Sequence, residues 1–228
     1  MSTSTEARGH VEPGGPSWVL DLGPATVRKC SVSEMDNDVY LLTCTATGDR
    51  LLVDAADDVE RIWALLAEDV ESPGRDRLGQ VLTTHRHWDH HRALADVVRR
   101  TGATTLAGHD DADELPVPVD VRLGHGDTVQ VGRLVLRVVG LRGHTPGSVA
   151  LELSVPGRPV VLLTGDSLFP GGPGKTWSPE DFALLIDDLQ TRVFDVYDDD
   201  TLVLPGHGDN TVLGVERPHL SEWRDRGW

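Results

Sequence analysis

Residues 85–91 read His-Arg-His-Trp-Asp-His-His, so four of the chain's ten histidines and one aspartate fall within seven positions. Imidazole nitrogens and carboxylate oxygens together are the donor set of zinc and other first-row divalent metals. A turn that places His85 and His87 on one side lets two imidazoles chelate one ion, while Asp89 and His90 point toward a neighbouring position. Taken singly, a histidine is more often a hydrogen-bonding side chain than a ligand. The cluster differs because Val81-Leu82-Thr83-Thr84 reads as a short buried strand that delivers it, and ligands at the C-terminal ends of strands are the usual arrangement of α/β sites.

The same arrangement recurs three times along the chain. Val135–Val139 leads into Gly143-His144-Thr145-Pro146-Gly147, Val160–Thr164 into Gly165-Asp166, and Leu202–Leu204 into Pro205-Gly206-His207-Gly208. Each is a strand, a glycine-containing turn and then one potential ligand. One such turn is common in any protein; four strand-end sites in one chain point to a metal centre.

The elements that must position these residues follow from patterning. Short apolar runs separated by turn residues make Trp18 to about Ala55 strand-rich. Val59, Ile62, Trp63 and Leu66 have helical spacing, as do Leu94, Val97 and Val98 ahead of a closing Gly102. Val119–Leu153 reads as consecutive strands. Ser178-Pro179-Glu180-Asp181 is a helix start, with serine as N-cap, proline in the first turn and acids beside the helix dipole. Phe182, Leu185, Ile186, Leu189 and Val193 form its buried face. Leu202–Leu204 is a last short strand, and Glu216–Trp223 is expected as a closing helix. This order predicts an α/β protein with sheets flanked by helices.

At 228 residues, with 39% hydrophobic and 25% charged side chains, the chain suits a globular domain. Residues 1–17 are expected to form a flexible leader, and 18–228 a single domain. The net charge of −16 opposes nucleic acid or an anionic membrane as partner. No apolar run approaches the roughly 18 residues that span a bilayer, and Met1–Pro16 lacks the hydrophobic stretch of a signal peptide. Cys30 and Cys44 are expected as small core residues in a reducing compartment. A cytoplasmic protein acting on a small molecule is the expectation. His91 is read as a residue of the helix surface, and His10, His109, His125 and His219 as residues without a site role.

Thr84-His85-Arg86-His87-Trp88-Asp89-His90, Gly143-His144-Thr145-Pro146-Gly147-Ser148 and Thr164-Gly165-Asp166-Ser167-Leu168-Phe169 resemble the metallo-β-lactamase superfamily, and within it glyoxalase II. The resemblance covers the chain from about Trp18 onward. It implies an αββα four-layer sandwich with the metal site along one edge of the paired sheets. It also implies two divalent ions, zinc first with iron or manganese as alternatives. His85, His87 and His144 would hold one ion, Asp89, His90 and His207 the other, and Asp166 would bridge them.

The activity so implied is hydrolysis of a thioester of a small thiol by a metal-bound hydroxide, with Asp89 also orienting that hydroxide as a catalytic residue. A thiolate leaves without a general acid, and no Gly-x-Ser-x-Gly elbow is present. Asp166, where some β-lactam-hydrolysing members use cysteine, argues against that substrate. Lys175 matches a substrate-binding lysine by its spacing from Asp166, and Trp177 stands where the family usually has tyrosine. Both are expected to contact substrate. Only 21 residues follow His207, so no C-terminal helical domain of the kind that helps hold glutathione is expected. Two alternatives use related motifs: a persulfide dioxygenase with one iron on two histidines and an aspartate, and a lactone or ester hydrolase on the same dinuclear site.

Overall fold

The computed structural model describes residues 9–68 and 77–227. Residues 1–8 of the expected leader therefore lie outside the described residues. Residues 9–17 run back across the body, where the His10 ring meets the Asp209 carboxylate at 2.6 Å.

Short, largely buried runs from Trp18 to Leu123 build a seven-stranded sheet in the order β1–β7. Its strands are β1 (Trp18–Asp21), β2 (Ala25–Val32), β3 (Asn37–Cys44), β4 (Arg50–Val53), β5 (Leu78–Thr83), β6 (Thr104–Gly108) and β7 (Val121–Leu123). β1 to β4 pair antiparallel by hairpins, and β4 to β7 pair parallel. Parallel pairing needs crossovers. Helices α1 (Val59–Glu68) and α2 (Leu94–Thr101) supply two of them. α2 stops at Gly102, whose φ of 64° closes the helix in the left-handed conformation the sequence predicts.

The second sheet has six strands. They are β8 (Thr128–Val131), β9 (Leu134–Gly140), β10 (Val149–Leu153), β11 (Val161–Gly165), β14 (Leu202–Pro205) and β15 (Thr211–Val212). A small hairpin of β12 (Leu168–Phe169) and β13 (Gly172–Pro173) precedes α3 (Pro179–Leu189), the crossover between parallel β11 and β14. Ser178 caps α3 by accepting the Asp181 N–H at 3.1 Å. The chain finishes with α4 (Leu213–Glu216) and α5 (Leu220–Arg226), two short helices where one was expected.

Three buried clusters define four layers. Val27, Tyr40, Leu42, Leu51, Val53 and Leu82 of the first sheet meet Val129, Leu136, Val138, Leu151, Val161 and Leu163 of the second. On the outer face of the first sheet, Leu41, Leu52 and Val81 pack against Ile62, Leu65, Leu94 and Val97. On the outer face of the second, Val139, Leu162 and Val203 pack against Leu185, Ile186, Leu189 and Trp223. The architecture is the αββα sandwich. Both cysteines are free and buried in these clusters. No helix among the described residues is long and apolar enough to cross a membrane.

Candidate metal centre

The C-terminal ends of β5, β9, β11 and β14 open on one edge of the sandwich, and the turn after each carries one or more of the candidate ligands. β9 and β11 are separated by two antiparallel pairings and so run in the same sense, while β11 and β14 are parallel. Two glycines permit the close approach this requires. A Cβ on Gly165, whose φ is 49°, would lie 2.7 Å from Thr84 Oγ1, and one on Gly206 would lie 2.1 Å from Asp166 Oδ1.

The seven side chains named from the sequence converge there. His85 Nε2, His87 Nδ1 and His144 Nε2 form a triangle with sides of 3.1, 2.9 and 3.3 Å. His90 Nε2 lies 3.1 Å from His207 Nε2, and Asp89 Oδ2 is 3.6 Å from the first and 3.4 Å from the second. Asp166 stands between the two groups: Oδ2 is 3.6 Å from His144 Nε2 and 3.4 Å from His207 Nε2, and Oδ1 is 3.3 Å from His90 Nε2.

What distinguishes this from a histidine-rich hydrogen-bond network is where the other ring nitrogens point. Those of His85, His90, His144 and His207 face Thr84 Oγ1 at 3.0 Å, Asp54 Oδ2 at 2.9 Å, the Lys175 carbonyl at 2.7 Å and the Met35 carbonyl at 2.7 Å. An Nδ1–H on each ring can donate outward, which leaves each Nε2 as the atom available to an ion at the centre. Ring nitrogens and carboxylates converging within about 3–4 Å of one another need a cation or protons among them, and outward donation of this kind is how proteins orient metal-binding imidazoles. Asp166 Oδ1 is buried and meets no donor in hydrogen-bonding geometry, which again fits a metal.

The charge states of the metal-free protein differ between the two groups. Burial lowers the pKa values of His85, His87 and His144, and neighbouring imidazoles add to this for all three. His207 is also opposed by burial, yet its bonds to Asp166 and Asp89 lift it to about 10. His90 is raised as well, against burial, chiefly by the negative charge of Asp166 and by Asp54. Burial would push Asp89 up, but His207, His90 and the Asn37 amide hold it below the usual carboxylate range.

A model of the metallo-beta-lactamase superfamily matches residues 33–207, which include all seven side chains. The chain belongs to the metallo-β-lactamase superfamily. Among similar proteins of this superfamily, a hydroxyacylglutathione hydrolase of Anaeromyxobacter dehalogenans is 43% identical over 141 residues, 61% of this chain and 49% of that protein. ETHE1 from Myxococcus xanthus superposes with a TM-score of 0.73 at 32% identity, covering 87% of this chain and 84% of that one. TTHA1623, solved in a di-iron-bound form, superposes with a TM-score of 0.65 at 26% identity, over 83% of this chain and 96% of its own. The chain spans about half to three-fifths of the length of the curated relatives it matches.

Lys175 and Trp177 lie at the rim of this metallo-β-lactamase site. The Trp177 ring centroid is 6.3 Å from that of His87, and Lys175 Nζ is 4.3 Å from the Trp177 ring centroid. Trp88 is also exposed, under the Arg92 guanidinium at 3.7 Å. His91 corrects the sequence expectation: it is buried rather than on a helix surface, with Nε2 3.1 Å from the Arg86 carbonyl. That bond folds the ligand loop back on itself.

Four supporting residues escaped the sequence reading. Asp54, at the end of β4 with φ 59°, accepts from Thr84 N at 2.7 Å, Thr84 Oγ1 at 2.8 Å and His90 Nδ1, so it aims ligands of both groups. Its signal was the acid closing Leu51-Leu52-Val53, a fifth strand end. Asn37 Nδ2 donates to Asp89 Oδ2 at 3.0 Å. Met35 acts only through its carbonyl and left no signal. Asp111, fully buried, accepts from Arg86 N at 3.0 Å and Gly147 N at 2.9 Å.

Proposed function

We propose that this chain is a dinuclear metal-dependent hydrolase that cleaves a thioester of a small thiol. The observation that carries the reading is the pair of adjoining ligand groups sharing Asp166, with every ligand position filled. Similarity to hydroxyacylglutathione hydrolases supports the thioester as the scissile group. His85, His87 and His144 would hold one divalent ion, Asp89, His90 and His207 the other, and Asp166 both; zinc suits the donors, and iron or manganese are compatible. When bound, such a pair supplies Lewis acidity and brings the pKa of water into the neutral range.

The chain's own residues do the rest. Asp89, ionised and held by Asn37, can take a hydrogen bond from an attacking water and orient it. Lys175 places a cation at the mouth of a protein of net charge −16, suited to an anionic part of the substrate, and Trp177 offers an apolar wall for its acyl or thiol portion. The thiolate departs without a proton donor. The reaction belongs to a cytoplasmic small-molecule enzyme, in keeping with the reduced cysteines.

A single-turnover reaction in ¹⁸O-water tests this mechanism: label enters the released acid in the first turnover, whereas a trapped acyl-enzyme would overturn it. The second reading is a mononuclear iron persulfide dioxygenase, favoured by one observation. His85, His90 and Asp166 alone make a group of two imidazoles and a carboxylate with donors within 4.8 Å.

A further inference from the structure

Lys29 is one of only two lysines in the chain, and its side chain is completely buried on β2. Its ammonium meets three acceptors: Asp38 Oδ2 at 3.0 Å, Asn210 Oδ1 at 3.0 Å and the Gly208 carbonyl. Asp38 is equally buried on β3, and its own N–H donates to the Gly206 carbonyl at 2.8 Å. Gly208 N–H donates to Asp36 O at 3.1 Å, and Tyr40 OH to Pro205 O at 2.6 Å. Pro205, Gly206, Gly208 and Asn210 are thus each tied to β2 or β3, around His207. The imidazole is left in the one orientation that puts Nδ1 on Met35 O and Nε2 among Asp89, His90 and Asp166.

Burying an ion pair costs more in desolvation than an apolar pair of the same shape, so packing alone does not account for Lys29 and Asp38. Burial pushes the Asp38 carboxyl up to about 7 even though Lys29 pulls it down, and Asp38 Oδ1 and Asn210 Nδ2 are buried without partners. What the pair supplies is direction, three bonds from one ammonium to a carboxylate and a ligand-bearing turn. A different carboxylate serves the other ligand group. Asp111 accepts from Arg86 N, Gly147 N and Thr145 Oγ1, which ties the His85–His87 loop to the His144 loop.

We propose that the buried Lys29–Asp38 pair is a positioning device for His207, setting the metal affinity of the Asp89–His90–His207 group independently of the His85–His87–His144 group that Asp111 holds. The proposal rests on the dinuclear reading above. Its test is zinc titration of the full chain by calorimetry and native mass spectrometry, comparing wild type with K29M/D38N, which removes both charges and strands neither. Wild type takes two ions. In the double variant one ion keeps its wild-type affinity and the other weakens about 10–100-fold, the range for loss of a residue that orients a ligand. In a His207→Ala background the double substitution adds no further loss, whereas Asp111→Asn weakens the remaining ion.

A folded double variant that binds both ions as wild type does, or weakens both alike, overturns the proposal. A wild type that takes fewer than two ions removes the dinuclear reading and the proposal with it. Should K29M/D38N not fold, Asn210→Ala removes a single acceptor from the turn; the same ion then weakens, and unchanged binding of both overturns the proposal.

Discussion

Asp166 reaches both ligand groups, with Oδ2 toward His144 of one and His207 of the other, and Oδ1 toward His90. Replacing it with alanine removes a donor from both groups, whereas His144→Ala empties one corner of one group. Asp166→Ala is therefore expected to lower activity and metal content more than any single histidine substitution, by at least about tenfold beyond His144→Ala. Equal residual rates and metal content would argue for independent sites. Lys175 makes a different kind of prediction. Its ammonium stands at the rim, 4.3 Å from the Trp177 ring centroid, and would touch substrate equally in ground and transition states. Lys175→Ala should chiefly raise KM, for a thioester bearing a carboxylate and not for a neutral one. Equal losses on both substrates would make it a loop charge.

At the scale of elements, the convergence of the candidate ligands was legible because each follows its strand by a few residues, so strand, turn and donor appear together in the sequence. Helix α3 was legible for the same reason: Ser178 and Asp181 are three positions apart. The supporting residues were not, because their partners are remote. Asp54 meets Thr84 and His90 from 30 and 36 residues away, and Met35 meets His207 from 172. Layer order was also invisible locally, since an apolar strand shows that it is buried and not against what. The turn after β14 gives this scale its prediction. A Cβ on Gly206 would also lie 2.8 Å from His90 Cε1, so Gly206→Ala drives a methyl between the shared carboxylate and a ligand of the second group. Metal content should fall with circular dichroism unchanged. Full metal content in that variant would mean that the strand ends have slack.

Over the whole molecule, the centre gathers five imidazoles and two carboxylates onto one edge of a sandwich, and in the metal-free state protons must balance them. His207 is lifted from the ordinary 6.5 to about 10. A group whose pKa is raised on folding adds stability that is fully present below its unfolded value and lost as pH climbs through its folded value. The metal-free protein should therefore lose thermal stability between about pH 6.5 and 10, by way of His207. Metal-loaded protein should not, because the ion replaces those protons. The same linkage makes metal uptake at Asp89–His90–His207 strengthen with pH and release protons, while His85, His87 and His144, already lowered, bind without that dependence. Melting curves of both forms across this range check it, and parallel curves would contradict the proton assignment.

The central claim is that two ligand groups sharing Asp166 hold two ions. Metal quantification on protein purified without added metal or chelator tests it most directly. The expected result is about two first-row divalent ions per chain, zinc foremost. No more than a trace of metal, or a single iron per chain, would contradict it.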